Sequence, residues 1–91
     1  MRAHAADIGG TRLRAALVDE TGEIIDRRDG TTPPDPLRGI EQLRSFWREL
    51  GPADASAVAV AGTIRSSTGE ITQSPNLPRW DGVRLGAELS C

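Results

Sequence analysis

The spacing of apolar positions changes along this 91-residue chain, and each change marks a new element. Residues 3–8, AHAADI, form a short run, mostly small and apolar, that fits a buried strand. Gly9-Gly10-Thr11 then turns the chain. Over residues 13–19, Leu13, Ala15 and Leu17 alternate with Arg14, Ala16 and Val18, the period of two that a strand requires. DETG at residues 19–22 makes a second turn, and residues 23–29 carry Ile24 and Ile25 into a third strand. Three strands joined by two tight turns predict an antiparallel meander.

TTPPDP breaks this pattern, because clustered prolines favour extended chain. Asp35-Pro36 is a helix entry, a capping carboxylate followed by proline in the first turn. Leu37, Ile40, Leu43, Phe46 and Leu50 follow at spacings of three and four, with Arg38, Glu41, Arg44 and Glu49 largely on the other face. That predicts an amphipathic helix, stopped by Gly51-Pro52. ASAVAVAG, residues 55–62, is apolar on both faces, as in a central strand covered on two sides. A strand, a helix and a strand predict a right-handed crossover, so this fourth strand should lie parallel to an earlier one. Residues 63–73 read as a hairpin around SSTG, with Ile64 and Ile71 as its apolar positions. SPNLPRWDG is a proline-punctuated loop, and residues 83–89 open a helical pattern through Leu85 and Leu89.

Composition narrows the class. Ninety-one residues make one small domain. A net charge of −2 and a pI near 5.3 point away from nucleic acid and from anionic membranes as partners. All 11 basic residues are arginine. Any phosphate held here must therefore be held by backbone N–H groups, by Arg or by a metal. The single cysteine, Cys91, gives neither an internal disulfide nor a metal-site spacing, which implies an intracellular, cytoplasmic setting. No apolar run approaches a membrane span, and MRAHAADIGG lacks the apolar core of a signal peptide.

The chemistry begins at DIGGTR, residues 7–12. Two glycines can let successive N–H groups face one concavity, a nest for phosphate oxygens, to which Thr11 adds a hydroxyl. Asp7 would repel a bare phosphate, so its presence there makes sense with Mg²⁺ between them, held through water. A tight hairpin with a solvated Asp7 satisfies the same residues. Gly62 follows the fourth strand, where open α/β sheets place ligands, or else it releases the chain into the hairpin. Asn76 offers a donor and an acceptor suited to a sugar hydroxyl, and is equally an ordinary turn residue. Trp80 reads as a half-buried loop anchor, Phe46 and Trp47 as core, Arg65 and Arg79 as solvated. Thr63, Ser66, Ser67 and Thr68 are hairpin and turn residues. His4, in an apolar strand, reads as a packed or edge histidine.

Taken together, ADIGGTRLRAALVDETGEII and VAVAGTIRSSTGEITQSPNLPRWDGVRLGAEL resemble the N-terminal portion of ROK sugar kinases, the glucokinase-like group of repressors, open reading frames and kinases. The resemblance implies an α/β, ribonuclease-H-like lobe of the actin, hexokinase and heat-shock-70 superfamily. Its parts are a three-strand antiparallel meander, a crossover helix, a parallel fourth strand and a hairpin. It implies that Asp7, Gly9, Gly10, Thr11 and Arg12 surround the phosphates of MgATP, with Arg12 where the family often has Lys. Asp7 would reach Mg²⁺ through water, and Gly62 and Asn76 would help to wall a sugar pocket. Ala61-Gly62 stands where the family often has Pro-Gly.

The family's catalytic aspartate sits in an Asn-Asp pair on the next strand, and this chain has no such pair. That residue, the zinc-binding His and Cys and the second lobe are all expected beyond Cys91. The expectation is an incomplete N-terminal lobe, residues 1–91, of a kinase for a hexose or N-acetylhexosamine, inactive by itself. One alternative is a non-catalytic module that pairs into a homo-oligomer through the open edge at residues 55–61. Others are a fragment of a ROK repressor, which needs a helix-turn-helix ahead of the fold, and an unrelated small α/β protein.

Overall fold

Strand β1 (Arg2–Ile8) has neighbours on both sides: β2 (Arg12–Asp19) antiparallel and β4 (Ala55–Val60) parallel. β3 (Ile24–Thr31) adds to the far side of β2, giving the sheet order β3-β2-β1-β4. Helix α1 (Pro36–Leu50) connects β3 to β4. The computed structural model describes residues 1–60, 62–65, 69–73, 78–85 and 89. The predicted meander, crossover helix and parallel fourth strand are all present, and the fold is mixed α/β.

Alternation along the strands selects the covered face. Ile8, Leu13, Ala15 and Leu17 are at most 2% exposed and meet the apolar stripe of α1. The helix begins where the side chain of Asp35 accepts the Leu37 N–H at 3.1 Å, one of the donors that a first turn leaves without an intrahelical partner. It ends at Gly51, whose φ of 102° takes the chain out of helical geometry. Trp47 ties helix to sheet, its Nε1 donating to the Ala5 carbonyl at 3.0 Å. His4 stacks on that indole at 5.1 Å between ring centroids, and its Nε2 bonds the Gly51 carbonyl at 2.7 Å. It is the packed histidine that its apolar strand predicts.

Several details depart from the sequence reading. β3 extends to Thr31, because Gly30 pairs with Leu13 and leaves room for the Phe46 ring; a Cβ at Gly30 would stand 3.3 Å from it. Val18 pairs with Ile24 and Leu17 with Asp26, so Ile25 is the extra residue of a bulge. β4 is not covered on two sides among the described residues. It lies at the sheet edge, and Ala55, Ala57 and Ala59 are exposed. Leu37 is 64% exposed, and the helix instead buries Gly39, Ile40, Leu43, Phe46, Trp47 and Leu50.

The substitution of Gly39 for Leu37 in the stripe traces to Trp80. β5 (Thr63–Arg65) and β6 (Glu70–Gln73) form the predicted hairpin, with Ile64 opposite Ile71; residues 66–68 of its turn lie outside the described residues. Ile71 N–H bonds the Val83 carbonyl at 2.8 Å and Gly82 N–H bonds the Ile71 carbonyl at 2.7 Å. These bonds hold the short 3-10 turn Pro78–Trp80 beside the hairpin. Trp80, expected to be half-buried, is fully buried, its ring seated on the backbone of Gly39. Its Nε1–H has no acceptor among the described residues, so shape holds it rather than a hydrogen bond. Leu85 and Leu89 are helical, in keeping with the pattern at residues 83–89; residues 86–88 lie outside the described set.

A Cβ added at Gly39 would overlap the Trp80 ring. Alanine gains up to about 1 kcal/mol over glycine inside a helix, whereas overpacking costs about 1–3 kcal/mol. Gly39→Ala should therefore lower stability on balance, read as a lower urea midpoint with an unchanged slope. A raised midpoint would show that the ring moves aside freely.

Candidate functional site

β1 and β4 run in the same direction, with Ile8 paired to Val60, so their carboxyl ends lie side by side. Gly9 and Gly62 therefore leave the sheet at one end, the end at which open α/β sheets receive ligands. The Gly9 N–H bonds the Arg12 carbonyl at 2.9 Å and closes the turn between β1 and β2. A Cβ at Gly9 would stand 3.2 Å from that carbonyl, tighter than side chains normally sit. Gly62 N–H bonds back to the carbonyl of Val60, the last residue of β4, at 2.9 Å.

Thr32 fastens the Gly9–Thr11 turn from a third direction. Its hydroxyl donates to the Gly9 carbonyl at 2.8 Å, and its N–H donates to the Thr11 carbonyl at 3.0 Å. Thr32 is 6% exposed, the polar residue buried in this region. Sequence reasoning missed it, since TTPPDP reads as a break between elements. The signal available was a hydroxyl residue directly after β3, at the end of the sheet that carries the glycines.

Among the described residues, positive φ occurs at Gly22, Gly51, Gly69 and Gly82, and at neither Gly9 nor Gly10. The turn thus lacks the alternating left-handed backbone of the expected nest. It offers instead the N–H groups of Gly10 and Thr11 and the Thr11 hydroxyl, none with a partner among the described residues.

The charges beside the turn form a row across the sheet. Asp7 pairs in register with Arg14, and Arg14 with Asp29, all on the face away from α1. Arg12 donates to Asp29 through Nε at 3.1 Å and Nη2 at 2.8 Å. That hydrogen bond, then the charges of Arg12 and Arg14, holds the Asp29 carboxyl below its ordinary range. The same bond raises Arg12. Their side chains are 60% and 43% exposed, so solvent screens the pair and it can exchange for another anion. Asp7 is exposed and has no ion-pair or hydrogen-bond partner among the described residues. A shallow concavity of about 530 Å³ over this face is lined by Asp7, Arg14, Arg27 and Asp29 with alanines beneath; it does not include the Gly9–Thr11 turn.

Asp7, Gly9, Gly10, Thr11, Arg12 and Gly62 are thus gathered at one end of the sheet, with Arg12 engaged rather than free. Asn76 lies outside the described residues. No group of three or more His, Cys, Asp or Glu among the described residues could cage a metal ion. The donor set fits a cation that brings its own waters and phosphates and needs one carboxylate.

Comparison with known proteins bears on the family and the fold. The model of the ROK family matches residues 3–91. A glucokinase of Pyrobaculum calidifontis is 35% identical over 72 residues, which cover 79% of this chain and 23% of the relative. An N-acetylmannosamine kinase of Salmonella newport is 46% identical over 63 residues, covering 65% of this chain and 21% of the relative. The chain thus spans under a quarter of the length of these curated relatives. The crystal structure of a ROK family glucokinase from Streptomyces griseus, in complex with glucose and AMPPNP, superposes with a TM-score of 0.90 at 23% identity. The match covers 98% of this chain and 29% of that one, and it shows a shared fold.

Thr32→Val removes a buried hydroxyl and leaves the Gly9 carbonyl unpaired, which should cost about 0.5–1.5 kcal/mol and shift the Gly9–Thr11 amide resonances. Thr32→Ser should restore both; failure of that rescue would point to the methyl group instead. Acid should also act through Asp29. A carboxyl depressed on folding contributes stability above its ordinary value of 3.8 and loses it as pH falls through the folded value. Melting temperature should therefore fall with pH below that value, and Asp29→Asn should flatten the fall. An unchanged profile in Asp29→Asn would assign acid sensitivity elsewhere.

Proposed function

The chain belongs to the ROK family, and from that premise we propose that its 91 residues are the N-terminal, phosphate-binding part of an ATP-dependent sugar kinase. The observation that carries this reading is the convergence of the Gly9–Thr11 turn, with its partnerless donors, and the free Asp7 at the sheet end that also bears Gly62. Gly10 and Thr11 N–H groups and the Thr11 hydroxyl bind phosphate oxygens of MgATP, and Arg12 releases Asp29 to join them. Asp7 holds Mg²⁺ through water, and the ion, when bound, neutralises charge on the phosphates. Gly62 and Asn76 belong to the wall of the sugar pocket, where Gly62 lets the backbone approach closely and Asn76 pairs a hydroxyl. The acceptor is a hexose or an N-acetylhexosamine, in line with the two kinds of kinase among the relatives.

Phosphoryl transfer to a hydroxyl needs a base in reach of that hydroxyl and a site closed to water. The one Asn of the chain, Asn76, is followed by Leu77, so the family's Asn-Asp pair is not among these residues. The 91 residues therefore bind phosphate without turnover. No helix among the described residues is long and apolar enough to cross a membrane. A cytoplasmic setting, with neither nucleic acid nor membrane as partner, completes the reading.

Titration of ¹⁵N-labelled chain with MgATP should move the Gly10 and Thr11 resonances. Asp7→Asn should weaken that response on the order of 10- to 100-fold, as loss of a water-mediated metal contact does. A folded sample in which neither resonance moves would reduce the motif to a turn. Release of ADP that depends on both sugar and Asp7 would overturn the claim that the isolated chain is silent.

A further inference from the structure

We infer that Thr32 is a positioning residue for phosphate: by holding the Gly9 carbonyl, its hydroxyl aims the Gly10 N–H at the ligand. The inference rests on the phosphate-binding reading of the Gly9–Thr11 turn and goes beyond it in naming what orients the donor.

The need for such a residue follows from the sequence of the turn. The peptide unit between Gly9 and Gly10 has no Cβ on either side, so backbone sterics restrain its rotation very little. Left to itself, it could turn its carbonyl toward a ligand as readily as its N–H, and a carbonyl oxygen repels phosphate. The chain has no cis peptide bond among the described residues, so this unit is planar and trans, with its C=O and N–H in opposite directions. Fixing one fixes the other. The Thr32 hydroxyl donates to the Gly9 carbonyl at 2.8 Å, from a residue that is 6% exposed. The carbonyl is thereby turned into the protein, and the Gly10 N–H is turned out of it.

No other bond among the described residues does this work. The Gly9 N–H bonds the Arg12 carbonyl, but that N–H belongs to the peptide unit before Gly9, not the one after. Thr32 is suited to the task by its own backbone. Its N–H bonds the Thr11 carbonyl at 3.0 Å, one rung beyond the Arg12–Thr31 pair at the end of the β2–β3 register. Pro33 follows, and a residue before proline is biased to extended geometry. The hydroxyl therefore reaches the turn from a stiff post, held by the ladder on one side and by the proline ring on the other. Thr31, the neighbouring threonine, is exposed and lies opposite Arg12 instead.

Thr32→Val keeps the shape and the backbone N–H and removes the hydroxyl alone. Titrated as ¹⁵N-labelled chain, it should bind MgATP on the order of 10-fold more weakly than the parent, as when a hydrogen bond to a charged group is no longer aligned. Thr32→Ser should restore the parent's affinity. Gly39→Ala, destabilised through Trp80 instead, should bind as the parent does, which separates aim from loss of stability. Should Thr32→Val not fold, the parent carries the test. By linkage, saturating MgATP should slow hydrogen exchange at the Thr32 amide more than at the Leu43 amide within α1. A folded Thr32→Val chain that binds as tightly as the parent overturns the inference and leaves the phosphate reading standing. So does Thr32→Ser binding no better than Thr32→Val, or equal slowing at the two amides. A folded parent that does not respond to MgATP overturns both.

Discussion

Everything in this structure depends on the parallel pairing of β1 with β4. Parallel neighbours cannot be joined by a tight turn, so the chain must travel back along the sheet before it can lay down the second strand. α1 performs that return. Its 15 residues at about 1.5 Å each span about 22 Å, and the seven residues of β1 at about 3.3 Å each span a similar length. The match is what sets Ile8 beside Val60, and puts Gly9 and Gly62 at the same end of the sheet. Two glycines more than 50 positions apart in the chain come to one end of the sheet for a reason that lies in neither motif. Covering one face of the sheet is a consequence of the same return, because a helix of this length crossing from β3 to β4 has to lie over β2 and β1. The buried residues record it: Ile8, Leu13, Ala15 and Leu17 below, Ile40, Leu43, Phe46 and Leu50 above.

The parts that were legible in the sequence are those whose signal is local. Period two in β2, the Asp35 cap and the Gly51 stop each act within a few residues, and each appears where it was read. The meander and the parallel direction of the fourth strand were legible too, because both follow from connection lengths, whereas the strand it joins was not. What escaped was set at long range. Leu37 satisfies the helical period and yet faces water, since Trp80, some 40 positions later, takes the place above Gly39. Thr32 looked like linker and is the fastening of the Gly9–Thr11 turn. Arg12 could be assigned to phosphate from the motif, but its present partner, Asp29, is visible once the β2–β3 register is known. β4 was apolar on both faces and so read as interior, whereas pairing decides that, and pairing is not written in one strand.

The electrostatics of the sheet end turn on which charges are engaged. A carboxylate beside a phosphate site is a liability unless a cation intervenes. Here the two nearby carboxylates are treated differently: Asp29 is held by Arg12, and Asp7 is left free. Exposed pairs of this kind are weak, because water screens both members. Arg12 therefore loses little by leaving Asp29 for a better anion. Asp7 has no ion-pair or hydrogen-bond partner among the described residues, and Arg14, opposite it in register, lies between two acids. On the proposed reading, this asymmetry leaves Arg12 able to move toward a phosphate and Asp7 suited to a hydrated cation.

Glycine serves this fold in two physically distinct ways, and the distinction bears on how the family motif should be read. Gly51 needs its positive φ to release the chain from α1. Gly9 does not have one, and what it supplies is absence of bulk, since a Cβ there would stand 3.2 Å from the Arg12 carbonyl. Gly39 is of the second kind, with an indole in place of the carbonyl. At Gly51, φ of 102° with ψ of 177° lies in a region that is essentially restricted to glycine, so the requirement there is conformational. A residue required for close approach is limited by its neighbour instead: severely at Gly39, where a Cβ would overlap the Trp80 ring, and mildly at Gly9, where the Arg12 carbonyl would have to give by a few tenths of an ångström. The tight spacing of the turn, with Thr32 bonded to the Gly9 carbonyl, therefore disfavours a side chain at Gly9. That is a steric ground for the first glycine of DIGGTR that owes nothing to its conformational freedom, and it leaves the adjoining N–H groups of Gly10 and Thr11 as the turn's offer to a ligand.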